Sequence, residues 1–497
     1  MGAFFRLNYG YKGKYLAEVS GRYDGSSKFP TNSKWGFFPS ASVAWRVSEE
    51  PWMKWSEEWL DNFKIRLSAG SMGNGNVDPY SYTSEMTVAT ASDIVLGGGL
   101  PSYTTVGSTV PVSLTWEKST TYDLGLDLDF LNNRLSFSGD YYRRYTTDMY
   151  TPSISLPSVY GTTSPKGNNA ELRTTGWELS LTWRDSFKLG GKPFDYSIKA
   201  MVWDNRTVVT KYENATRSLG TLKGYIQNGG SPSDFYEGME LGEMWGYTVA
   251  GLFRDQADID SSATHDFTQA SDKVTRPGQV KIADLDHNGN IDPGAFTADD
   301  HGDLSIIGNI NPHYMFGVNL AANWNGIGLS VFLQGVMKRD WYPSPDSGYF
   351  WGKYARPFMW VLGIHNYTDD MYSKEKNNWD TAYWPRMTTY QSNSSYSWTK
   401  LLEIPNTRYK QNAAYLRVKN IQVDYTFPKA LCQKIRLGGL KIYLSGENLF
   451  TFTPLHKYAP NFDPEALGYD TDFSSTAGDG YTYPVLKSVT LGVNITF

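Results

Sequence analysis

The chain has 497 residues and a net charge of −5, with no block of basic residues, which argues against nucleic acid as a partner. Aromatic residues make up 15% of it, 35 Tyr and 17 Trp among them, a level suited to membrane-interface girdles or sugar-stacking surfaces. One cysteine, Cys432, excludes an intrachain disulfide and a multi-cysteine metal site, and no run of about 18 apolar residues offers a transmembrane helix.

Residues 1–6 lack the charged and apolar regions of a signal peptide and run at once into alternation at Leu7, Tyr9 and Tyr11. Alone that points to a cytoplasmic protein; with the pattern that follows, it points to a natural N-terminus lying further upstream. Period-2 alternation then recurs down the chain. Tyr122, Leu124, Leu126, Leu128 and Phe130 share one strand face, and Asp123, Gly125, Asp127 and Asp129 the other. Trp177, Leu179, Leu181 and Trp183 repeat it, as do Phe316, Val318, Leu320, Ala322 and Trp324. Val489, Leu491, Val493, Ile495 and Phe497 close the series.

Lys12-Gly13, Asn132-Asn133 and Asn325-Gly326 sit between such runs as tight-turn signals. By the alternation rule there are roughly fourteen strands, within 4–22, 35–48, 62–72, 118–150, 175–206, 244–253, 313–340, 413–448 and 486–497. Polar stretches at 73–115, 207–243, 254–312, 341–412 and 449–485 separate them. Short turns on one side and long loops on the other predict an all-β fold, an antiparallel transmembrane β-barrel with long extracellular loops. A soluble β-sandwich also alternates. A propeller would show a 40–50-residue repeat, and none is present.

Several segments resemble the SusC/RagA family of TonB-dependent outer-membrane transporters. They are Gly21-Arg22-Tyr23-Asp24-Gly25-Ser26-Ser27-Lys28-Phe29 with Trp35-Gly36-Phe37-Phe38-Pro39-Ser40, Leu114-Thr115-Trp116-Glu117-Lys118, and Asn168-Asn169-Ala170-Glu171-Leu172 with Gly176-Trp177-Glu178. Ile306-Ile307-Gly308-Asn309, Tyr415-Leu416-Arg417-Val418-Lys419-Asn420 and Leu444-Ser445-Gly446-Glu447-Asn448-Leu449-Phe450 follow in order. The resemblance implies a 22-stranded barrel with an N-terminal plug, energised through TonB. Residues 1–497 then correspond to the C-terminal part of that barrel, incomplete and open, with no counterpart for the plug, the TonB-contacting segment or the signal peptide. It further implies a SusD-like surface lipoprotein as lid, a setting in outer-membrane lipid, and a glycan or peptide as substrate. Phe497 at the end of an alternating strand resembles the signal read by the barrel-assembly machinery.

The sharpest local motif is Asp284-Leu285-Asp286-His287-Asn288-Gly289-Asn290-Ile291-Asp292. Oxygen donors at alternate positions with Gly289 at the sixth match the first half of a Ca²⁺ loop. Asn290 would offer its backbone carbonyl. Ala295 stands where the closing acid belongs, and an insertion delivers Asp299, Asp300 and Asp303 instead; the family resemblance, in which an acidic residue just before the Ile-Ile-Gly segment closes the loop, implies closure by Asp303 or Asp300. A structural Ca²⁺ is the expectation; the plain alternative is a solvated acidic turn held by Asx-turns. Trp341, Tyr342, Tyr349, Phe350, Trp351, Trp379 and Trp384 are candidates for contact with substrate or lipoprotein, or for loop packing.

Catalysis has little support. The six histidines are scattered, no Gly-x-Ser-x-Gly elbow occurs, and Gly97-Gly98-Gly99 lacks the Lys of a phosphate loop. The family resemblance makes energised import the leading expectation. A passive porin- or adhesin-like barrel, or a soluble calcium-stabilised sugar-binding β-protein, is the alternative.

Overall fold

The computed structural model describes residues 1–83, 86–106, 110, 114–152, 166–219, 235–265, 275–343, 350, 370–386, 405–467 and 485–497. Thirteen strands form one antiparallel sheet. They are β1 Gly2–Tyr11, β2 Tyr15–Gly25, β3 Trp35–Arg46, β4 Leu60–Asn74, β5 Glu117–Phe130, β6 Leu135–Pro152 and β7 Lys166–Leu189. β8 Lys192–Lys211, β9 His313–Trp324, β10 Ile327–Lys338, β11 Tyr415–Thr426, β12 Gly439–Phe452 and β13 Ser488–Thr496 complete it. Neighbours in sequence are neighbours in the sheet throughout, the up-and-down order of a membrane barrel. β1 and β13 are its two ends and the order does not close on itself, so the sheet is open.

Connections alternate in length. Residues 12–14, 131–134, 190–191 and 325–326 make tight turns at one end of the strands, while 75–116, 212–312, 339–414 and 453–487 form long excursions at the other. Positive φ falls where the tight turns demand it, at Lys12 and Gly13, at Leu131 to Asn133, and at Asn325 and Gly326.

The side-chain period separates two faces. Cross-strand pairing lines up Val19 with Ala41, Ala41 with Ala69, Ala69 with Tyr122, and Tyr122 with Arg143. One step nearer the tight turns, Val43, Leu67, Leu124 and Tyr141 form the next row. Leu7, Val43, Leu67, Tyr122, Leu124 and Tyr141 are exposed, as a lipid-facing band requires. The opposite face is ionic. Arg66 donates to Asp127 at 2.8 and 3.1 Å and pairs with Asp140 at 2.9 Å; Arg6 pairs with Glu18 at 2.7 Å. At the tight-turn end, rings stack in succession: Tyr11 on Tyr15, Tyr15 on Trp45, and Trp59 on Phe130. Trp52 and Trp55 stand exposed beside them, completing an interfacial girdle.

The expectation of about fourteen strands is corrected at one segment. Residues within 244–253 do not enter the large sheet. Glu243–Tyr247 pairs with Leu304–Asn309, and Val249–Leu252 pairs with Val280–Ile282, in small ladders within the long excursions. All five residues of Glu243–Tyr247 are buried, on both faces, which no lipid-facing strand could be. Phe497 follows β13 and is exposed, continuing the outward row Val489, Leu491, Val493 and Ile495.

Leu124 lies six positions from Phe130 at the tight turn, well inside the apolar band. Leu124→Arg is expected to destabilise the folded protein in lipid vesicles by about 2–4 kcal/mol, the cost of a midplane charge, while Ser42→Lys on the ionic face changes it by under about 0.5 kcal/mol. Equilibrium urea unfolding in vesicles measures both.

Candidate functional site

Two features of the long excursions concentrate polar chemistry. The first is the acidic loop 284–303. Gly289 N–H donates to Asp284 Oδ2 at 3.0 Å, Asn288 N–H to Asp286 Oδ1 at 3.0 Å, and Asn290 N–H to Asn288 Oδ1 at 2.7 Å. Gly294 N–H donates to Asp292 Oδ1 at 2.7 Å. These are successive Asx-turns, and the loop curls because each short acceptor captures an amide two to five residues on. His287 and Gly289 take positive φ at 60° and 84°, the latter at the sixth position, where a glycine meets no strain.

Asp303 comes back to this curl from eleven residues beyond Asp292. It is fully buried and accepts Leu285 N–H at 2.6 Å and Asp292 N–H at 3.0 Å. Carboxylate oxygens of Asp284, Asp286 and Asp303 lie within 4.8 Å of one another. Asp284 Oδ1 is buried and has no hydrogen-bond donor among the described residues. Of the two closing candidates, Asp303 therefore stands with the carboxylates. Asp300 instead receives Thr297 N–H at its backbone oxygen and sits at the Gly294 turn. Asn288 donates through Nδ2 to Asp286 and Asp292, so its side-chain oxygen is the part facing amides. Burial pushes the Asp303 carboxyl up; its two amide donors oppose this and Asp286 and Asp284 add to it, with a net rise. Three carboxylates held this close repel unless a proton or a cation joins them.

The second feature is an aromatic body. Trp341, Tyr342, Phe350 and Trp384 are all buried. Phe350 meets Trp384 edge-on at 5.4 Å, Trp384 stacks on Tyr409 at 5.7 Å, and Tyr383 stacks on Tyr458 at 3.6 Å. Tyr342 Oη accepts Asn406 Nδ2 at 2.8 Å. These four candidates for substrate or partner contact form the interior of the loop body, because rings this large fill space that the loops cannot otherwise exclude from water. Trp379 is half-buried in the turn after Asn378, and Tyr349 and Trp351 lie outside the described residues.

Ion pairs that sequence reading passed over pin this body to the sheet. Arg417, buried on β11, holds Asp463 and, at 2.7 Å, Glu465; Lys419 adds a 2.9 Å contact to Glu465. Arg339 donates to the carbonyls of Pro464 at 2.9 Å and Leu467 at 2.7 Å. Burial pushes the Asp463 carboxyl up, but its bond from Arg417 leads the opposing interactions, which bring it below the ordinary range. The available signal was parity: Tyr415, Arg417 and Lys419 alternate with Leu416 and Val418.

A family model described as TonB dependent receptor-like, beta-barrel, matches residues 1–276. The chain belongs to that family. It is SusC/RagA-like within it and an outer-membrane protein. TonB-dependent receptor P3 of Formosa agariphila is 28% identical over 505 residues, covering 99% of this chain and 45% of the relative. TonB-dependent receptor SusC of Bacteroides thetaiotaomicron is 25% identical over 510 residues, covering 99% and 43%. The chain thus spans a little under half the length of these relatives. Among solved structures, the RagAB peptide transporter matches with a TM-score of 0.72 at 20% identity, over 100% of this chain and 47% of that one. That likeness is of fold.

His265 ties the loop ladders together. Its Nε2 accepts Ile282 N–H at 2.9 Å while Nδ1 donates to Ala263 O at 2.9 Å, an arrangement only the neutral ring supports. Burial lowers its pKa from about 6.5. The stability it supplies is present above that value and is lost as pH falls through it toward the lower folded value. Hydrogen exchange at the Ile282 amide is expected to accelerate as pH drops below about 6.5, after correction for intrinsic rates, and His265→Gln should flatten the dependence.

Proposed function

We propose that the protein is the membrane-spanning part of a TonB-energised importer that carries an oligomeric nutrient, a glycan or a peptide, across the outer membrane. One observation carries the reading: the match to TonB-dependent relatives runs along 99% of the chain, not through an isolated segment. The ionic inward face of β1–β6 suits a wet passage. Work of this kind needs a plug and a TonB contact alongside the barrel. A SusD-like lipoprotein on the outer face is the expected partner, and the titled function of the RagAB neighbour makes peptides as eligible a substrate as glycans.

Deleting the gene and supplying single oligosaccharides or oligopeptides as the growth-limiting nutrient tests the proposal. Growth should fail on one class and return with the intact gene, and the same failure should follow loss of TonB. Uptake that persists without TonB would favour a passive pore.

The acidic loop is read as a structural Ca²⁺ site that holds the curl at 284–303. Asp284, Asp286, Asp303 and the backbone carbonyl of Asn290 would supply oxygens, with Asn288 and Asp292 supporting them through the curl. Hard oxygen donors without sulfur or nitrogen suit Ca²⁺. Calcium at ten times its Kd should stabilise the folded protein by about 1.4 kcal/mol, and Asp303→Asn should abolish that gain. Thermal unfolding of the intact protein with Ca²⁺ and with chelator measures it; equal melting in both would remove the metal from the account.

A further inference from the structure

Outward-facing positions on β1–β6 are apolar, aromatic, small or hydroxylated, with two exceptions. Lys118 and Arg143 share the face that carries Tyr122, Leu124 and Tyr141, and both are basic and exposed. Lys118 pairs with Thr147 and Tyr122 with Arg143, so the two cations lie on adjacent strands, Lys118 four residues further toward the long loops. Neither makes an ion pair among the described residues, in contrast to Arg6 and Arg66 on the other face. Arg173 occupies an outward position of β7, the next strand, four residues above Trp177.

Height decides what these cations meet. Arg143 stands eight residues from Leu135 at the tight turn. At about 3.4 Å per residue and a tilt of about 40°, that is roughly 20 Å along the membrane normal. The apolar band of such sheets is about 25 Å tall, so Arg143 sits at its outer rim and Lys118 beyond it, in the headgroup layer.

Beside Arg143 the outward face is hollowed. Ala41 and Ala69 leave a depression between Val43, Leu67, Tyr122 and Leu124, a shallow groove of about 810 Å³ flanked on the β6 side by Tyr141, Arg143 and Tyr145. Arg143 Nη2 lies 3.5 Å from Tyr141 Oη, and Tyr122 meets Tyr145 edge-on at 6.3 Å. The guanidinium is thus framed by phenols, which can donate to an anion, while the walls below are hydrocarbon.

We propose that this face is a binding site for a phosphorylated lipid of the outer leaflet. Arg143, with Lys118 above it, takes the phosphate; the Ala41–Ala69 groove takes an acyl chain. Charge complementarity selects the occupant. An unpaired guanidinium at the edge of hydrocarbon binds a phosphate in fork geometry, and a neutral lipid offers it no partner.

The test uses the intact protein purified from the outer membrane and exchanged into nanodiscs with defined lipid. Bis-phosphorylated lipid A, enzymatically dephosphorylated lipid A and inorganic phosphate are the probes, and bound lipid is counted by native mass spectrometry. Heat-modifiable migration reports folding. Phosphorylated lipid A should be retained about ten-fold more than the dephosphorylated form, the yield of one charge-assisted contact. Lys118→Gln with Arg143→Gln should remove that preference, and Arg143→Lys should keep most of it. Equal retention of the two lipids by the unaltered protein overturns the proposal without reference to any variant. So does an unchanged preference in the folded double variant, or displacement of the lipid by inorganic phosphate at equal concentration, which would leave the groove no part in binding.

Discussion

Lipid offers a peptide group nothing to hydrogen-bond with, and the rest of the molecule follows from that. Each membrane-spanning residue must find its backbone partners in neighbouring strands. The uninterrupted pairing from β1 through β13 is the response, and the side-chain alternation that comes with a pleated strand then sorts chemistry by face. Leu67 and Leu124 can stand exposed because their solvent is hydrocarbon. The same register turns Arg66, Asp127 and Asp140 inward, where water screens them and each has an opposite charge within reach. The connections obey the constraint as well. Turns of two to four residues recur at one end, where the longest connections, 47–59 and 427–438, are short helical segments, and the longest excursions lie at the other.

The bulk at that end has a different problem. Excursions as long as 212–312 and 339–414 cannot shelter in lipid and must build a core of their own. They do so with rings, Trp341, Phe350, Trp384, Tyr409 and Phe462, which bury much area per residue at little conformational cost. Short ladders satisfy the backbone, and β11 lends Arg417 as an anchor for Asp463 and Glu465. Such a buried ionic group is poor as a source of stability, since desolvation offsets most of the attraction. It is effective at fixing position, because a shift of either loop would strand a charge. The acidic curl at 284–303 works by the same logic, with backbone amides as the donors and three carboxylates left facing each other.

Much of this was legible in the sequence, and the parts that were not have a common cause. Alternation located the strands of the sheet, and the turn signals Lys12-Gly13, Asn132-Asn133 and Asn325-Gly326 fixed three of its hairpins, because both are local. The segment 244–253 misled because period-2 alternation marks a strand but not the sheet it joins. Met244, Trp245 and Tyr247 pack on both sides of a ladder whose partner lies some sixty residues away. Phe350 and Trp384 posed the same difficulty: an aromatic residue in a loop reads alike whether it contacts a partner, a lipid headgroup or another loop. Asp303 shows the limit most clearly. The spacing of Asp284, Asp286 and Asn288 was visible, but an eleven-residue excursion intervenes before the carboxylate that joins them, and only the fold chooses between Asp300 and Asp303.

The sorting of charge by face also gives meaning to its exceptions. On a soluble protein an exposed, unpaired arginine is ordinary and carries no information. On the outward face of a membrane sheet it stands where a charge is costly unless it reaches the interface. Such a residue persists only where the surroundings supply an anion or a water layer. Arg143 and Lys118 satisfy this by height, and their separation along one face, without any carboxylate between them, leaves their counter-charge to come from the membrane itself. The alternation that built the sheet is what makes that deduction possible, because register alone decides whether a side chain answers to water or to lipid.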